Sequence, residues 1–351
     1  MSLSCNDDYN QGLGKHRERE DGGGDDRPSK IRRTSSVITD LPGDCLNLIF
    51  KCLGTRDDYR KTVQDRNSFG LTCRQWLHIQ NNNHKSLWYR SSHEYARSVR
   101  FDESFPIILS KLMTRFQHLK YLSLKKCPEM TDFVTLKSQF LESQVQYLCL
   151  DYCSHYLDTE LSLMFSWFPH LTDVSLKSSH ATDTSLEALA KCCLSLESVN
   201  LSFCGSITDS GISFLLQNCR KLRSLCVESC SSITGIGFVE CPKTLIHLVA
   251  GGCKLTPEGI TAIVSGGGLE ELFLSTPYVL AEVGEGPINT EAIMTISKGC
   301  PLLKILNLSD CEEIELQGWE AISRNCKDLV LLNVYGCTKL CDSGLQALCN
   351  G

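Results

Sequence analysis

The residues of this chain that are best suited to chemistry are its 21 cysteines. The best candidates for zinc ligands are three pairs with Cys-x3-Cys spacing: Cys149/Cys153, Cys226/Cys230 and Cys337/Cys341. No adjacent histidine completes a tetrahedral set of ligands beside any of them. Most of the cysteines fall at fixed places in a repeating pattern, where a buried free thiol acts as a small hydrophobe with a weak S–H donor. We therefore predict structural thiols, and neither a metal site nor another cofactor.

The residue patterns of common enzymes are also missing from the sequence. A catalytic site needs a nucleophile with a base beside it, or a metal cluster. The histidines are scattered, and there is neither a Gly-x-Ser-x-Gly turn nor a glycine loop of the kind that cradles phosphates. The glycine run at 266–268 follows a predicted helix and indicates a helix end. We predict a non-catalytic protein.

The cysteines are positioned by a phrase, Leu-x-x-Leu-x-Leu-x-x-Cys, that recurs nine times at intervals of roughly 26 residues between Leu119 and Cys337. A fixed period of this size indicates stacked repeats rather than one globule. The alternating leucines share one face of a strand, and the Thr-Asp pair that usually follows each cysteine is a helix-start signal. Each unit is therefore a strand, a turn and a helix. Because strands stack about 4.8 Å apart and helices are about 10 Å thick, the stack curves with its strands inside.

These units resemble the cysteine-containing subtype of leucine-rich repeat, which carries a second cysteine at the end of its helix. That second cysteine is found at Cys193, Cys219, Cys300 and Cys326. The resemblance implies an α/β fold, a right-handed leucine-rich-repeat solenoid with a curved parallel sheet inside and helices outside. We assign about nine repeats to residues 116–351, with an insertion at 278–287. Long loops in compact arrays tend to be functional, so the insertion either arches over the inner wall or is a tolerated surface loop.

Length and composition narrow the function classes further. At 351 residues the chain has room for one solenoid and a small domain. A net charge of −6 gives no reason to expect nucleic-acid binding. No apolar run reaches the roughly 18 residues of a membrane helix, and the N-terminus lacks the apolar stretch of a secretory signal. We expect a protein of the nucleus, the cytoplasm or both, with no membrane partner.

Residues 1–36 differ from the rest of the chain because they are polar, highly charged and poor in apolar side chains. Such a segment cannot bury enough apolar surface to fold, so we predict a disordered tail. Its basic end, residues 27–36, is compatible with a nuclear-import signal, with a kinase site at Ser35 or with a plain solvated tail.

The segment 37–90 has helical patterns instead. It begins with Asp40 and Pro42, which suit a helix start. An apolar stripe at helical spacing follows: Leu46, Ile49, Phe50 and Leu53. A second run ends at Trp76, and Leu87-Trp88 comes after it. Together these motifs resemble an F-box, the short helical module that docks on a Skp-family adaptor. We assign the F-box to 37–90 and a helical linker to 91–115.

An F-box in front of cysteine-containing repeats resembles the F-box/LRR family, in a plant-like form. The resemblance implies the substrate-recognition subunit of a Skp–cullin–F-box ubiquitin ligase. Such a subunit holds the adaptor, and through it cullin, with one end and a target protein with the other, which leads to proteasomal degradation of the target. The adaptor-binding residues that the family motif implies are Leu41, Pro42, Leu46, Ile49 and Leu53. The alternative for this helix is that Leu46 and Phe50 simply pack on Trp76.

The inner wall of the solenoid is the natural site for a target protein, because the strand positions on either side of each leucine face it. The target-binding residues that we predict on this wall and at its rim are Tyr121, Lys125, Tyr147, Asp151, Asp173, Lys177, Glu228, Phe273, Tyr278 and Tyr335. Exposed aromatic side chains are common interface anchors. The alternative function is a leucine-rich-repeat scaffold without ligase function, which would share the repeats and lack adaptor binding. A small-molecule co-receptor is disfavoured, because no basic cluster awaits an anionic ligand.

Overall fold

The computed structural model describes residues 2–4, 42–52, 68–90, 104–127, 143–275 and 288–350. The chain divides into two compact units, residues 2–84 and residues 85–351. Several predicted features lie outside the described residues: most of the tail 1–36, Leu41, Leu53, and the insertion 278–287 with Tyr278.

The described part of the first unit contains a short strand and two helices. They are β1 (Ser2–Ser4), α1 (Gly43–Cys52) and α2 (Arg74–Asn83), with a helical turn at 68–70. Strand β1 lies within the predicted disordered tail. Helix α1 has Asp44 in its first turn and Lys51 in its last, which suits the helix dipole at both ends. A side-chain hydrogen bond of 2.9 Å from Asn83 Nδ2 to Asn47 Oδ1 connects α2 to α1.

The second unit is built on one curved sheet, in which strands that follow one another in sequence are also neighbours in space. In the part of this unit that the structure describes, the strands are β2 (Ser86–Arg90), β3 (Tyr121–Lys125), β4 (Tyr147–Cys149), β5 (Asp173–Ser175), β6 (Ser198–Asn200), β7 (Ser224–Cys226), β8 (His247–Val249), β9 (Glu271–Phe273), β10 (Ile305–Asn307) and β11 (Leu331–Asn333). Every neighbouring pair is parallel. The stacked repeats that the period predicts, and the curved parallel sheet that the resemblance to leucine-rich repeats implies, are confirmed.

Helices connect most of these strands. The described helices of this unit are α3 (Ser104–Arg115), α4 (Asp158–Trp167), α5 (Asp183–Cys192), α6 (Asp209–Asn218), α7 (Pro257–Val264), α8 (Thr290–Gly299), α9 (Leu316–Asn325) and α10 (Asp342–Cys349). Between β7 and β8 the chain makes only a 3-10 turn, Ile236–Phe238, where the cysteine slots 230 and 253 are 23 residues apart. None of the helices in the described ranges has both the length and the apolar character needed to cross a bilayer.

One column of apolar side chains runs through the sheet. The second residue of each strand is in register with the second residue of the next, as in Leu122 with Leu148 and Leu148 with Val174. The register continues through Leu225 to Leu306, and each residue of the column up to Leu306 is at most 2% exposed. Each contributes about 1.5–3 kcal/mol on burial, and only because the neighbouring repeat covers it. The interior column that the leucine spacing predicts is therefore confirmed.

Polar side chains at the helix starts join each repeat to the next. Thr182 and Thr208 cap their own helices, because each hydroxyl oxygen accepts a backbone N–H bond from the first turn. The aspartate at the start of a helix reaches the following repeat instead. Asp158 accepts bonds from the N–H and the hydroxyl of Thr182, and Asp183 accepts the same pair from Thr208, at 2.9 and 2.6 Å. The Thr-Asp signal thus fixes the helix start and also the contact between repeats.

Strand β2 is an addition to the nine strands that the repeat phrase predicts. Leu87 pairs with Leu122 and Tyr89 with Leu124, and both Leu87 and Tyr89 are buried. The sequence motifs assign Leu87-Trp88 to the F-box range, but the structure places them in the solenoid sheet. The strand does not match the repeat phrase because histidine replaces its first leucine, at His84, tyrosine replaces its third, at Tyr89, and no cysteine follows.

Candidate functional site

The first unit has a small apolar core. Its buried residues are Leu46, Phe50, Phe69 and Ile79, and Trp76 packs against them. The rings of Phe69 and Trp76 stack with their centroids 4.0 Å apart, and Phe50 meets Phe69 edge-on at 5.3 Å. These side chains pack α1 against α2.

The structure separates the predicted adaptor-binding residues into buried and exposed ones. Leu46 is fully buried in the core of the unit, where it packs with Phe50 as in the alternative interpretation, so its side chain is not presented to a partner. Pro42 is exposed and Ile49 is 39% exposed. Leu48, which the family motif does not single out, is 62% exposed beside Ile49. The sequence indicates this exposure, because Leu48 lies off the helical stripe formed by Leu46 and Phe50.

The outward side chains of the strands form the inner face of the curved sheet. Tyr121 is half-exposed and in register with Tyr147, and the centroids of the two rings lie 6.0 Å apart. At the last strand, Tyr335 is 76% exposed. The other predicted residues on this face that are half-buried are Asp173, Lys177, Glu228 and Phe273. Exposed aromatic rings therefore lie at both ends of the face, and half-buried charged residues lie between them.

Asp151 is buried, only 5% exposed, which corrects its prediction as a direct contact for a target. Its carboxylate accepts hydrogen bonds from Ser175 Oγ at 2.5 Å and from the backbone N–H of Lys177 at 3.3 Å, and it pairs with Lys125 Nζ at 2.9 Å. Burial alone would raise the pKa of Asp151, but the bonds from Ser175 and Lys125 hold it below its ordinary value. The bond to Asp151 in turn raises the pKa of Lys125. Asp151 is thus a structural link between three neighbouring repeats.

Two further side chains on the same part of the face, those of Tyr147 and Cys149, are uncharged at neutral pH. Burial raises the pKa of Tyr147 to about 12, with the nearby Cys149 and Asp151 adding to the rise, so its phenol keeps its O–H donor. Cys149 lies between the two leucines of β4, a position predicted to point away from the core, yet it is fully buried. Its register neighbours, Ser123 and Ser175, are buried as well. Burial raises the pKa of Cys149 to about 11, so it is not a nucleophile at neutral pH.

A second polar cluster lies across β7, β8 and β9. Ser224 Oγ is 3.0 Å from His247 Nδ1, His247 Nε2 is 3.7 Å from a carboxylate oxygen of Glu271, and the ring of Phe273 is 5.5 Å from the imidazole. Serine, histidine and glutamate in a row could suggest acyl transfer, which also needs backbone N–H groups to hold an oxyanion. The N–H groups of Ser224, His247 and Glu271 all donate to backbone carbonyls of the preceding repeat. The cluster places polar and aromatic side chains of three neighbouring strands on the inner face, where they can contact a partner.

Among the described residues, a row in the left-handed conformation follows the strands, at the position just before the cysteine slot. The non-glycine members are Lys126, Tyr152, Ser178, Phe203, Ser229 and Asp310, and glycine takes the same position at Gly252 and Gly336. Each N–H of a turn of this kind can bond to the next repeat, as Tyr152 N–H does to the carbonyl of Lys177 at 2.7 Å. This conformation costs a residue with a Cβ about 1–2 kcal/mol.

Two of these left-handed positions carry aromatic rings that the motifs do not reveal. Tyr152 is 45% exposed and Phe203 is 48% exposed. Lys126 Nζ lies 5.6 Å from the centroid of Tyr152, and Lys177 Nζ lies 5.1 Å from that of Phe203. An exposed pair of this kind contributes about 0.5–1 kcal/mol, and the covered half of each ring adds about 1 kcal/mol. These gains only cancel the conformational cost, so stability alone does not account for the rings.

The cysteine slots serve as hydrogen-bond donors between repeats. Cys153 Sγ donates to the carbonyl of Leu124 at 3.0 Å, and Cys230 Sγ donates to that of Leu201 at 3.0 Å. Burial raises the pKa of Cys230, and also that of Cys253, to about 12. Within the described ranges, no three His, Cys, Asp or Glu side chains are grouped so that they could hold a metal ion.

Comparison with known proteins gives matches of three kinds: a family model, a relative in sequence and solved structures. A family model described as "Leucine Rich repeat" matches residues 192–216 and 299–323. F-box/LRR-repeat protein 12 of Arabidopsis thaliana is 42% identical over 294 residues, which cover 82% of this chain and 71% of that protein. Among solved structures, a chain of the Rad7 and Elc1 complex in yeast is 18% identical, with a TM-score of 0.48. The match covers 87% of this chain and 85% of the yeast chain. An internalin (inlF) of Listeria monocytogenes is 17% identical with a TM-score of 0.42, covering 68% of each chain. No functional conclusion rests on these two structural likenesses.

Proposed function

The chain belongs to the F-box/LRR-repeat protein family, and we propose on that premise that it is the substrate-recognition subunit of a Skp–cullin–F-box ubiquitin ligase. In this proposal the first unit binds a Skp-family adaptor and, through it, cullin. The second unit binds a target protein in the nucleus or cytoplasm, whose ubiquitination and proteasomal degradation follow. The chain itself performs no chemistry, because its contribution is to raise the effective concentration of the target at the ligase.

The observation that carries the proposal is the extent of the family match. Residues 85–351 are 267 of the 351 residues, or about 76% of the chain. A match over 82% of the chain therefore extends beyond the repeats into the first unit. A scaffold made of leucine-rich repeats alone would not account for that part of the match.

The adaptor surface is proposed to lie on α1. Pro42, Leu48 and Ile49 are exposed there, while the stripe that faces α2 is used up by the core. Apolar side chains in excess of what a small core can hold are typical of a partner surface. Leu41 and Leu53, which the family motif adds at the two ends of this helix, remain predictions.

Titration calorimetry of the purified full chain with a purified Skp-family adaptor tests this proposal. Leu48→Lys and Ile49→Lys are each expected to weaken binding about tenfold or more, because they place a charge in an apolar contact. The matched control is Gln75→Lys, which adds the same charge at an exposed position of α2 and should bind as the wild-type chain does. Thermal melts of all variants check that the first unit stays folded. A folded wild-type chain that does not bind the adaptor would favour the scaffold alternative.

A further inference from the structure

Two lysine–aromatic pairs lie at the ends of consecutive strands of the solenoid. We name the surface formed by Lys126, Tyr152, Lys177 and Phe203 the rim ridge. Lys126, Tyr152 and Phe203 occupy the same left-handed position in their repeats, and Lys177 directly precedes that position. Because neighbouring strands are about 4.8 Å apart, the three strand steps from β3 to β6 span roughly 14 Å. The rim ridge is therefore one continuous surface that crosses the strand ends.

The rim ridge carries the positive charges of two lysines. Among the described residues, neither Lys126 nor Lys177 forms an ion pair, whereas Lys125 is paired with Asp151. The carboxylate of Asp151 is buried and already used by that pair. The ridge thus offers two available cations with half-exposed rings beside them.

We propose that the rim ridge is the docking surface for an acidic peptide segment that also carries aromatic or large apolar side chains. An extended peptide advances about 3.4 Å per residue, so roughly four to five residues would cover the ridge. Its carboxylates would meet Lys126 and Lys177, and its apolar side chains would cover the open halves of Tyr152 and Phe203. The assignment of this segment to a degradation target rests on the proposed function. The preference for an acidic peptide does not depend on that function.

A peptide fits this surface better than a nucleic acid, the other polyanion that pairs with lysine and aromatic residues. Single-stranded nucleic acids are held in positively charged grooves that track the backbone, with ring faces open for stacking bases. Here each ring already has a lysine ammonium group near its face.

The proposal is tested with the full chain and a fluorescein-labelled copolymer of glutamate and tyrosine, by fluorescence anisotropy. We expect the wild-type chain to bind it, more weakly as salt is added, because added salt screens charges at exposed sites. Tyr152→Ala/Phe203→Ala is expected to weaken binding about tenfold or more, as truncation of paired aromatic anchors does. Lys126→Glu/Lys177→Glu is expected to remove binding that can be measured, because it reverses the sign of the ridge.

The matched control is Lys191→Glu, which reverses a lysine that also lies near an aromatic ring, 5.3 Å from Phe214, but on helix α5. It should leave copolymer binding unchanged. Equal binding by the wild-type chain and the ridge variants would overturn the proposal, and so would tighter binding of polyuridylate than of the copolymer. A polyglutamate probe that binds as tightly as the copolymer would overturn the part assigned to the rings.

The ridge proposal and the proposed ligase function can fail separately. The anisotropy assay contains no adaptor, so a chain that binds the copolymer but not the adaptor would count only against the ligase function. Adaptor binding by the ridge variants should equal that of the wild-type chain, and this also shows that their first unit is intact.

Discussion

Asparagine in place of Asp151 tests whether buried hydrogen bonds or an ion pair holds the first repeats together. The carboxylate of Asp151 is bonded by Ser175 Oγ, by the N–H of Lys177 and by Lys125 Nζ. The side chain of Lys125 is 42% exposed, so its ion pair contributes only about 0–1 kcal/mol. The bonds from buried Ser175 and from the N–H of half-buried Lys177 go to a charged acceptor, and such bonds contribute about 1.5–3 kcal/mol each in favourable cases. Since asparagine keeps one acceptor oxygen, we expect Asp151→Asn to lower the free energy of unfolding by about 1–2 kcal/mol at neutral pH.

The pH dependence of this loss has a definite sign. The pKa of Asp151 is lowered in the folded chain, so its stabilisation is present above the ordinary aspartate value of about 3.9 and is lost as pH falls through the folded pKa. The difference between the wild-type chain and Asp151→Asn should therefore be constant from pH 7 to about pH 5 and should shrink below about pH 4.

Urea unfolding followed by circular dichroism at several pH values measures this difference. Repeat proteins can unfold in parts, so amide exchange at Leu150 and Lys177, whose N–H groups bond across these repeats, provides a local measure. The comparison variant is Lys125→Met, which removes the ion pair alone and should cost less than about 1 kcal/mol. If Lys125→Met destabilises the chain as much as Asp151→Asn does, the assignment of stability to the buried bonds is refuted.

Three further predictions separate structural residues from contact residues. Leu46→Ala should destabilise the first unit by about 2–5 kcal/mol, because it empties a fully buried site; thermal melts that match the wild type would contradict its core position. Asp183→Ala should cost about 1.5–3 kcal/mol in urea unfolding, since it leaves the N–H and hydroxyl of Thr208 without their charged acceptor. At pH 8, iodoacetamide should label exposed Cys349 well before Cys230, because burial raises the pKa of Cys230 to about 12 and the thiolate is the reactive form; peptide mass spectrometry that finds equal rates would show that the repeats open readily.

The interior of the solenoid could be predicted because its period is strict. One place in the repeat phrase is shared by Leu122, Leu148 and Leu225. A residue in that place lies in the core once the repeats stack. The capping action of Thr208 followed from its residue type alone. In contrast, the reach of Asp183 into the following repeat depends on the distance between helices, which no single unit encodes.

The outward positions were harder to predict, because their exposure depends on the side chains of neighbouring repeats. Asp151 has the sequence position of a contact residue, but Lys125 and Ser175 on the adjacent repeats cover it and bond to it. The left-handed turn had one available signal, since glycine stands at 252 and 336 in the register position of Tyr152 and Phe203. Comparing that position across all repeats, rather than the leucines alone, would have drawn attention to the two rings.

The repeat geometry also determines how the second unit would recognise a partner. A ligand that runs across strand ends meets one residue from each repeat, with a spacing set by the sheet at about 4.8 Å. The backbone bonds that hold the left-handed turns fix where those residues stand before any ligand arrives, which reduces the ordering cost of binding. Substitutions at Tyr152 and Phe203 should then affect different positions of one bound peptide, about 10 Å apart, since two strand steps separate them. Because two strand steps place the two positions about 10 Å apart, their effects on affinity should add; strong coupling between Tyr152→Ala and Phe203→Ala in a double-mutant cycle would mean that the peptide binds in another direction.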